Sequence, residues 1–143
     1  MDSLARRIVL TSKSLRAHFE AHMAAAGASM PFWLVLDQLD TEDGLSQREL
    51  ARRLYVEAPT LTRHIDRMAA EGLLLRSQDP HDRRVTRIRL TAAGRQLHRR
   101  LAAVARARDE ALRAQLSPRE IATLERVLAR ITDYLENDDA ATG

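Results

Sequence analysis

The chain has 143 residues, one domain's worth, with 45% hydrophobic and 3% aromatic residues and a net charge of +3. A core of Leu, Ala, Ile and Val favours helices over a sandwich or barrel, and no run of 18 apolar residues offers a membrane span. The absence of cysteine excludes disulfides, thiol catalysis, thiol redox sensing and thiolate metal sites, and the opening "MDSLARRIVL" lacks a secretory-type apolar run and cleavage site, so a cytoplasmic protein is expected.

In chain order, residues 2–26 predict one long helix, with Leu4, Ile8, Leu15, Phe19 and Met23 at helical spacing. Asp2 or Ser3 can cap its start, and Gly27 suits the position just past its end. "MPFWLVLDQLD" (30–40) predicts a short apolar helix with Pro31 in its first turn, followed by a loop at Gly44. "SQRE" (46–49) is a capping box: Ser46 accepts from the backbone three residues on, and Glu49 reaches back. The helix it opens buries Leu50, Ala51 and Leu54. A further helix over 57–72 has Pro59 near its start, Gly72 at its end and a buried stripe of Ala58, Leu61, Ile65 and Met68.

The period then changes from helical to alternating. "LLLRSQ" (73–78) and "VTRIRL" (85–90) predict two strands around the six-residue loop "DPHDRR". Thr86, Ile88 and Leu90 share one face of the second strand, and Val85, Arg87 and Arg89 the other. Thr91 caps a helix through about residue 115. "SPRE" (117–120) opens a last helix to about 136, striped by Ile121, Leu124, Leu128, Ile131 and Leu135, before a frayed tail "NDDAATG".

Charge follows this order unevenly. Residues 46–89 hold ten Arg against six acids, a balance of +4, which leaves −1 for the two flanks together. Lys13 is the one lysine among 23 basic residues. Such a basic middle points to a polyanion-facing module. Two short helices joined by a tight turn, with small and polar residues exposed on the second, make a helix-turn-helix, and the hairpin after them makes a winged helix. Thr60, Thr62, Arg63 and Arg67 lie outside the buried stripe, where Thr and Arg read base edges in a major groove. Arg83 and Arg84 fall at the hairpin tip, Arg87 lies on the return strand, and a narrow minor groove attracts inserted Arg. Asp82 is close enough to orient an Arg fork.

At "GLSQRELARRL" (44–54), "PTLTRHIDRMAAEGLLLR" (59–76), "DPHDRR" (79–84) and "LTAAG" (90–94) the chain resembles the MarR family of bacterial winged-helix regulators. The family's wing motif, Asp-x-Arg, falls on Asp82 and Arg84. The resemblance implies a mainly α fold with a small β-hairpin: an N-terminal dimerisation helix over 1–28, a winged helix-turn-helix over 29–92 and C-terminal dimerisation helices over 93–143. It implies a homodimeric repressor on a pseudo-palindromic duplex, released by a small aromatic or anionic effector. The expected DNA contacts are Ser46, Gln47, Pro59, Thr60, Thr62, Arg63, Arg67, Asp82, Arg83, Arg84 and Arg87. The expected effector contacts are Phe19, His22, Phe32 and Trp33; the alternative role of Phe19, Phe32 and Trp33 is plain core, and that of His22 an exposed or interface pair with His18. Glu57 and Ala58 stand where many relatives offer a hydroxyl to a phosphate.

The remaining signals are weaker. His18 and His22 share one helix face, a spacing that can hold a metal, but no HExxH pattern accompanies them. No metal site and no cofactor is expected. The five histidines are scattered, and no catalytic triad order or phosphate-cradling glycine loop appears, so the chain is not expected to be an enzyme. The alternatives are a winged-helix protein–protein adaptor and a non-specific architectural DNA-binding protein.

Overall fold

The computed structural model describes residues 3–142, with element order α1 (Leu4–Ala25), α2 (Met30–Thr41), α3 (Gln47–Arg53), α4 (Ala58–Ala70), β1 (Leu74–Gln78), β2 (Thr86–Leu90), α5 (Ala92–Arg113) and α6 (Pro118–Thr142). Two compact units result, Met1–Ala105 and Arg106–Gly143. No helix of the described residues is long and apolar enough to cross a membrane.

The capping signals set the helix starts of the first unit. Ser3 accepts from the Arg6 amide, Ser29 from that of Phe32 and Ser46 from that of Glu49. Asp2, the other candidate for the first cap, lies outside the described residues. Gly72, at φ +74°, turns the chain out of α4 in the left-handed region that glycine adopts without strain. Thr91 joins two elements: its Oγ1 accepts from the Gly94 amide at 3.0 Å and donates to the Gly72 carbonyl at 2.7 Å.

The core of this unit is aliphatic. Met23, Leu36, Leu50, Ile65, Met68, Ile88 and Leu101 are completely buried, so α1 to α5 and the hairpin all contribute to it. The two strands pair antiparallel, Leu74 with Leu90 and Gln78 with Thr86. A third segment borders β2 on its other edge. The Gly44 amide donates to the Ile88 carbonyl at 3.0 Å, the Ile88 amide to Leu45 at 2.9 Å, and Ser46 bridges Arg87. The stretch that caps α3 is therefore also a sheet edge.

Several local expectations require correction. Ala58 is exposed, so the buried stripe of α4 is Leu61, Ile65 and Met68. Glu49 is drawn away from the Ser46 amide by Arg52 and Arg53, whose charged forks outcompete a backbone donor. Ser117 likewise accepts from the Glu120 amide, while the Glu120 carboxylate meets the Ser117 hydroxyl instead of the backbone. The wing loop spans seven residues, 79–85, because the Asp79 amide donates to Val85 outside the ladder.

In the second unit α6 continues to Thr142, beyond the expected end at 136. No Gly or Pro interrupts "NDDAAT", and the Thr142 hydroxyl donates to the Asp138 carbonyl at 2.8 Å. Arg113 bonds both Asp109 (2.8 Å) and Glu125 (2.9 Å), closing the turn between the helices. No residue of α6 is buried: Ile121 and Ile131 are partly covered, whereas Leu124, Leu128 and Leu135 are exposed.

Candidate nucleic-acid interface

Three elements of the first unit build the site: the start of α3, the exposed side of α4 and the wing. Gln47, the first residue of α3, donates through Nε2 to the Thr62 hydroxyl at 2.7 Å, and Thr62 donates to the Ala58 carbonyl at 2.9 Å. This chain of bonds pins the second helix of the motif to the first. The turn between them passes through Tyr55 at φ +53°, an unusual conformation for a residue with a side chain. Further along α4 lie Thr60 and Arg63, with Arg63 Nη2 at 3.5 Å from the Thr60 hydroxyl.

The back of α4 meets a ring. Phe32 is buried beneath it, with the His64 ring edge-on at 6.4 Å and the Arg67 guanidinium over the ring at 5.6 Å. Burial, followed by the charges of Arg63, Arg16 and Arg67, lowers the His64 pKa from its ordinary value.

The wing is organised by two carboxylates. Asp79 Oδ1 accepts from the amides of His81 (2.8 Å) and Asp82 (3.1 Å), which folds the turn. Asp82 Oδ1 accepts from the Arg84 amide and from Arg84 Nε, and Oδ2 from Arg84 Nη2, each at 3.0 Å. This two-point contact holds the Arg84 guanidinium as a fork while leaving its side chain 90% exposed. Bonding to Arg84 lowers the Asp82 pKa and raises that of Arg84.

Between α3 and the wing lies a groove of about 590 Å³, lined in part by Ser46, Gln47, Arg48, Asp82, Arg84 and Thr86. The positive block around it is largely neutralised from within. Arg52 pairs with Glu49, Arg53 with Glu42 and Glu49, Arg67 with Glu71, Arg76 with Asp66, Arg84 with Asp82, Arg87 with Asp79 and Arg89 with Asp43. Among the described residues, Arg48, Arg63 and Arg83 are the arginines of 46–89 outside these pairs, one each on α3, α4 and the wing. Arg48 was missed from sequence. Its signal was an arginine in the first turn of a helix, beside Ser46 and Gln47, with no acid at helical spacing to hold it.

The expected site residues therefore divide. Ser46, Gln47, Asp82 and Arg84 line one groove; Pro59, Thr60, Thr62 and Arg63 lie on α4 beside it; Arg83 is exposed at the wing tip. Arg67 leans on Phe32, and Arg87 is held by Asp79 and the Gly44 carbonyl. The four aromatic candidates occupy separate surroundings. Phe19 lines a 260 Å³ cavity with Arg16 and Met30, while Phe32 borders another with Glu20 and Arg67. Trp33 stacks on His98 at 5.2 Å, and His22 Nδ1 lies 2.8 Å from the His18 carbonyl oxygen. Among the described residues no cluster of three or more His, Cys, Asp or Glu could hold a metal.

A helix-turn-helix followed by a basic wing, its Arg fork preset by a carboxylate, defines a winged-helix DNA-binding protein. The sequence model of the MarR family matches residues 28–86. The transcriptional regulator PA3341 shares the fold with a TM-score of 0.85 and 33% identity, over 94% of this chain and 99% of that one. The HTH-type transcriptional repressor Mb2911 of Mycobacterium bovis is 29% identical over 117 residues, 82% of this chain and 84% of its own. A mutant MarR from E. coli, solved with operator DNA, superposes with a TM-score of 0.82 at 23% identity, covering 90% of this chain and 92% of its own. At that identity the likeness shows the fold alone. The chain belongs to the MarR family and is a DNA-binding transcriptional regulator.

Proposed function

We propose that this regulator is a homodimeric repressor that reads a pseudo-palindromic duplex, with α4 in the major groove and the wing in the adjacent minor groove. The observation that carries this reading is the preset Asp82–Arg84 fork across a groove from α3. Thr60, Thr62 and Arg63 supply base-edge and phosphate contacts from α4. Ser46, Gln47 and Pro59 approach the backbone, and Arg48 and Arg83, which have no ion-pair partner among the described residues, add positive charge. A second copy of the chain covers the exposed leucines of α6 and those of α1, where Leu4, Leu10 and Leu15 are also exposed. The name of the Mycobacterium bovis relative supports repression.

The same proposal includes release by a small aromatic or anionic effector. It is supported by a cavity of about 290 Å³ lined by residues of α1, α2, α4 and the turn before it, among them Arg16, Leu34, Val35, Tyr55, Thr60 and His64. Arg16 offers a cation there and Leu34 and Val35 offer an apolar wall, a pairing suited to an aromatic acid.

The testing experiment is selection of duplexes from a random DNA pool by the purified chain, with its mass in solution measured alongside. An inverted repeat with half-sites roughly one helical turn apart, bound by a dimer, is the expected result. A pool retained without any shared sequence overturns specific recognition and favours an architectural role. A nuclease-resistant protein complex without DNA retention favours an adaptor.

A further inference from the structure

Arg87 looks like one more DNA contact in a basic wing, but its bonds point inward. Its Nε donates to Asp79 Oδ2 at 2.8 Å, and its Nη1 to the Gly44 carbonyl at 3.3 Å. Its backbone lies in the middle of the three-stranded patch, beside Ser77 on one side and Ser46 on the other. The Asp79 side chain is 13% exposed, so this carboxylate is mostly withdrawn from water.

Asp79 uses both oxygens. Oδ1 accepts the His81 and Asp82 amides that shape the wing turn, and Oδ2 accepts Arg87. Asp82, placed by that turn, holds Arg84. A continuous path of hydrogen bonds thus runs from the Gly44 carbonyl through Arg87, Asp79 and Asp82 to the Arg84 fork. Its inner end is the segment that caps α3, since Ser46 lies two residues after Gly44.

We infer that Arg87 and Asp79 are a positioning pair, which sets the wing against the helix-turn-helix so that the Arg84 fork meets DNA in register with α4. The inference rests on the DNA-binding reading and goes beyond it by giving a wing arginine an inward role. A short-range geometric device matters here because the buried apolar residues of the hairpin, Leu74, Ile88 and Leu90, all lie in its strands and none in its loop. Of the loop residues 79–85, only Asp79, Asp82 and Val85 are even partly covered.

Charge gives the test its sign. Asp79→Asn removes a negative group near a polyanion, so Coulomb's law alone predicts tighter DNA binding. The asparagine oxygen accepts the two turn amides more weakly than the carboxylate does, and its NH₂ cannot accept from Arg87. Positioning therefore predicts weaker binding.

The probes are the duplex selected from the random pool by the wild-type chain and an unrelated duplex of equal length. Asp79→Asn is expected to bind the selected duplex at least about tenfold more weakly, to keep or gain affinity for the unrelated one, and to leave the salt slope unchanged. Arg87→Met should reproduce the loss on the selected duplex, the double variant should add little to either, and Arg87→Lys should recover part of it. Unchanged or tighter binding of the selected duplex by Asp79→Asn overturns the inference. So does an equal loss on both duplexes for Arg87→Met with the salt slope reduced by about one, the mark of a direct phosphate contact. Hydrogen exchange without DNA supplies an independent readout. The Asp82 and Arg84 amides should exchange faster in Asp79→Asn while core amides and the melting temperature hold; unchanged wing exchange overturns positioning. A wild-type chain that selects no sequence sinks the DNA reading instead, and the exchange result still decides the pair.

Discussion

Asp82 and Arg84 face each other through two side-chain hydrogen bonds of equal length, Nε to Oδ1 and Nη2 to Oδ2 at 3.0 Å. The pair is exposed enough that it adds little to folding stability. Its consequence is directional: an arginine that would otherwise sample many rotamers is aimed before any ligand arrives, which lowers the entropy lost on binding.

Replacement of Arg84 by alanine is expected to weaken binding of the selected duplex by about 1–3 kcal/mol, the scale of one good base contact. Asp82→Asn is expected to lose part of the same energy, because an amide cannot accept at both points. Titration at fixed salt checks both, and equal affinities for Arg84→Ala and wild type would remove the wing from the interface.

Glu49 predicts an acid-sensitive α3. Hydrogen bonds from Arg52 and then Arg53 lower its pKa from 4.5 to about 2. A carboxylate depressed in the folded state stabilises above its unfolded pKa, and that stabilisation disappears as pH falls through the folded value. Melting temperature is therefore expected to drop between about pH 4.5 and 2, less steeply in Glu49→Gln. An identical pH profile for the two proteins would show that the ion pairs contribute nothing.

His64 titrates in the opposite chemical sense with the same pH direction. Burial and nearby arginines favour its neutral form, so its folded pKa lies below 6.5. The stability this contributes is complete above 6.5 and is lost as pH falls through the folded value. An NMR titration of the ring should give a midpoint under 6.5, and truncation of Arg63 should move it upward. A midpoint at or above 6.5 would contradict the packing against Phe32.

Gly94 sits where α5 meets the start of the hairpin. A Cβ built there lies 2.2 Å from the Leu73 carbonyl oxygen, an obstruction made of backbone that cannot rotate away. Gly94→Ala is expected to cost about 1–3 kcal/mol by overpacking, despite the better helix propensity of alanine. Urea unfolding measures this, and a neutral or stabilising effect would show that α5 shifts freely.

The order of elements, the serine caps and the aliphatic stripes of α4 and β2 were legible in the residues themselves. These are local properties: a hydroxyl three residues before an amide, or an apolar side chain at every second or fourth position, acts within one turn or one strand. Asp82 beside Arg84 was legible for the same reason, since two residues of a tight turn cannot separate far. The family resemblance rested on such local runs.

Tertiary structure decided which charges remain available. Arg53 meets Glu42 across 11 positions, Arg76 meets Asp66 across 10, and Arg87 reaches the Gly44 carbonyl across 43. No periodicity announces these pairs, because they form only after α2, α3, α4 and the hairpin pack around one core. The sequence by itself determined a basic winged helix; folding alone decided that, among the described residues, seven of its ten middle arginines are paired at home and Arg48, Arg63 and Arg83 are not. The physical reason is that charge is counted along the chain, whereas Coulomb attraction acts through space.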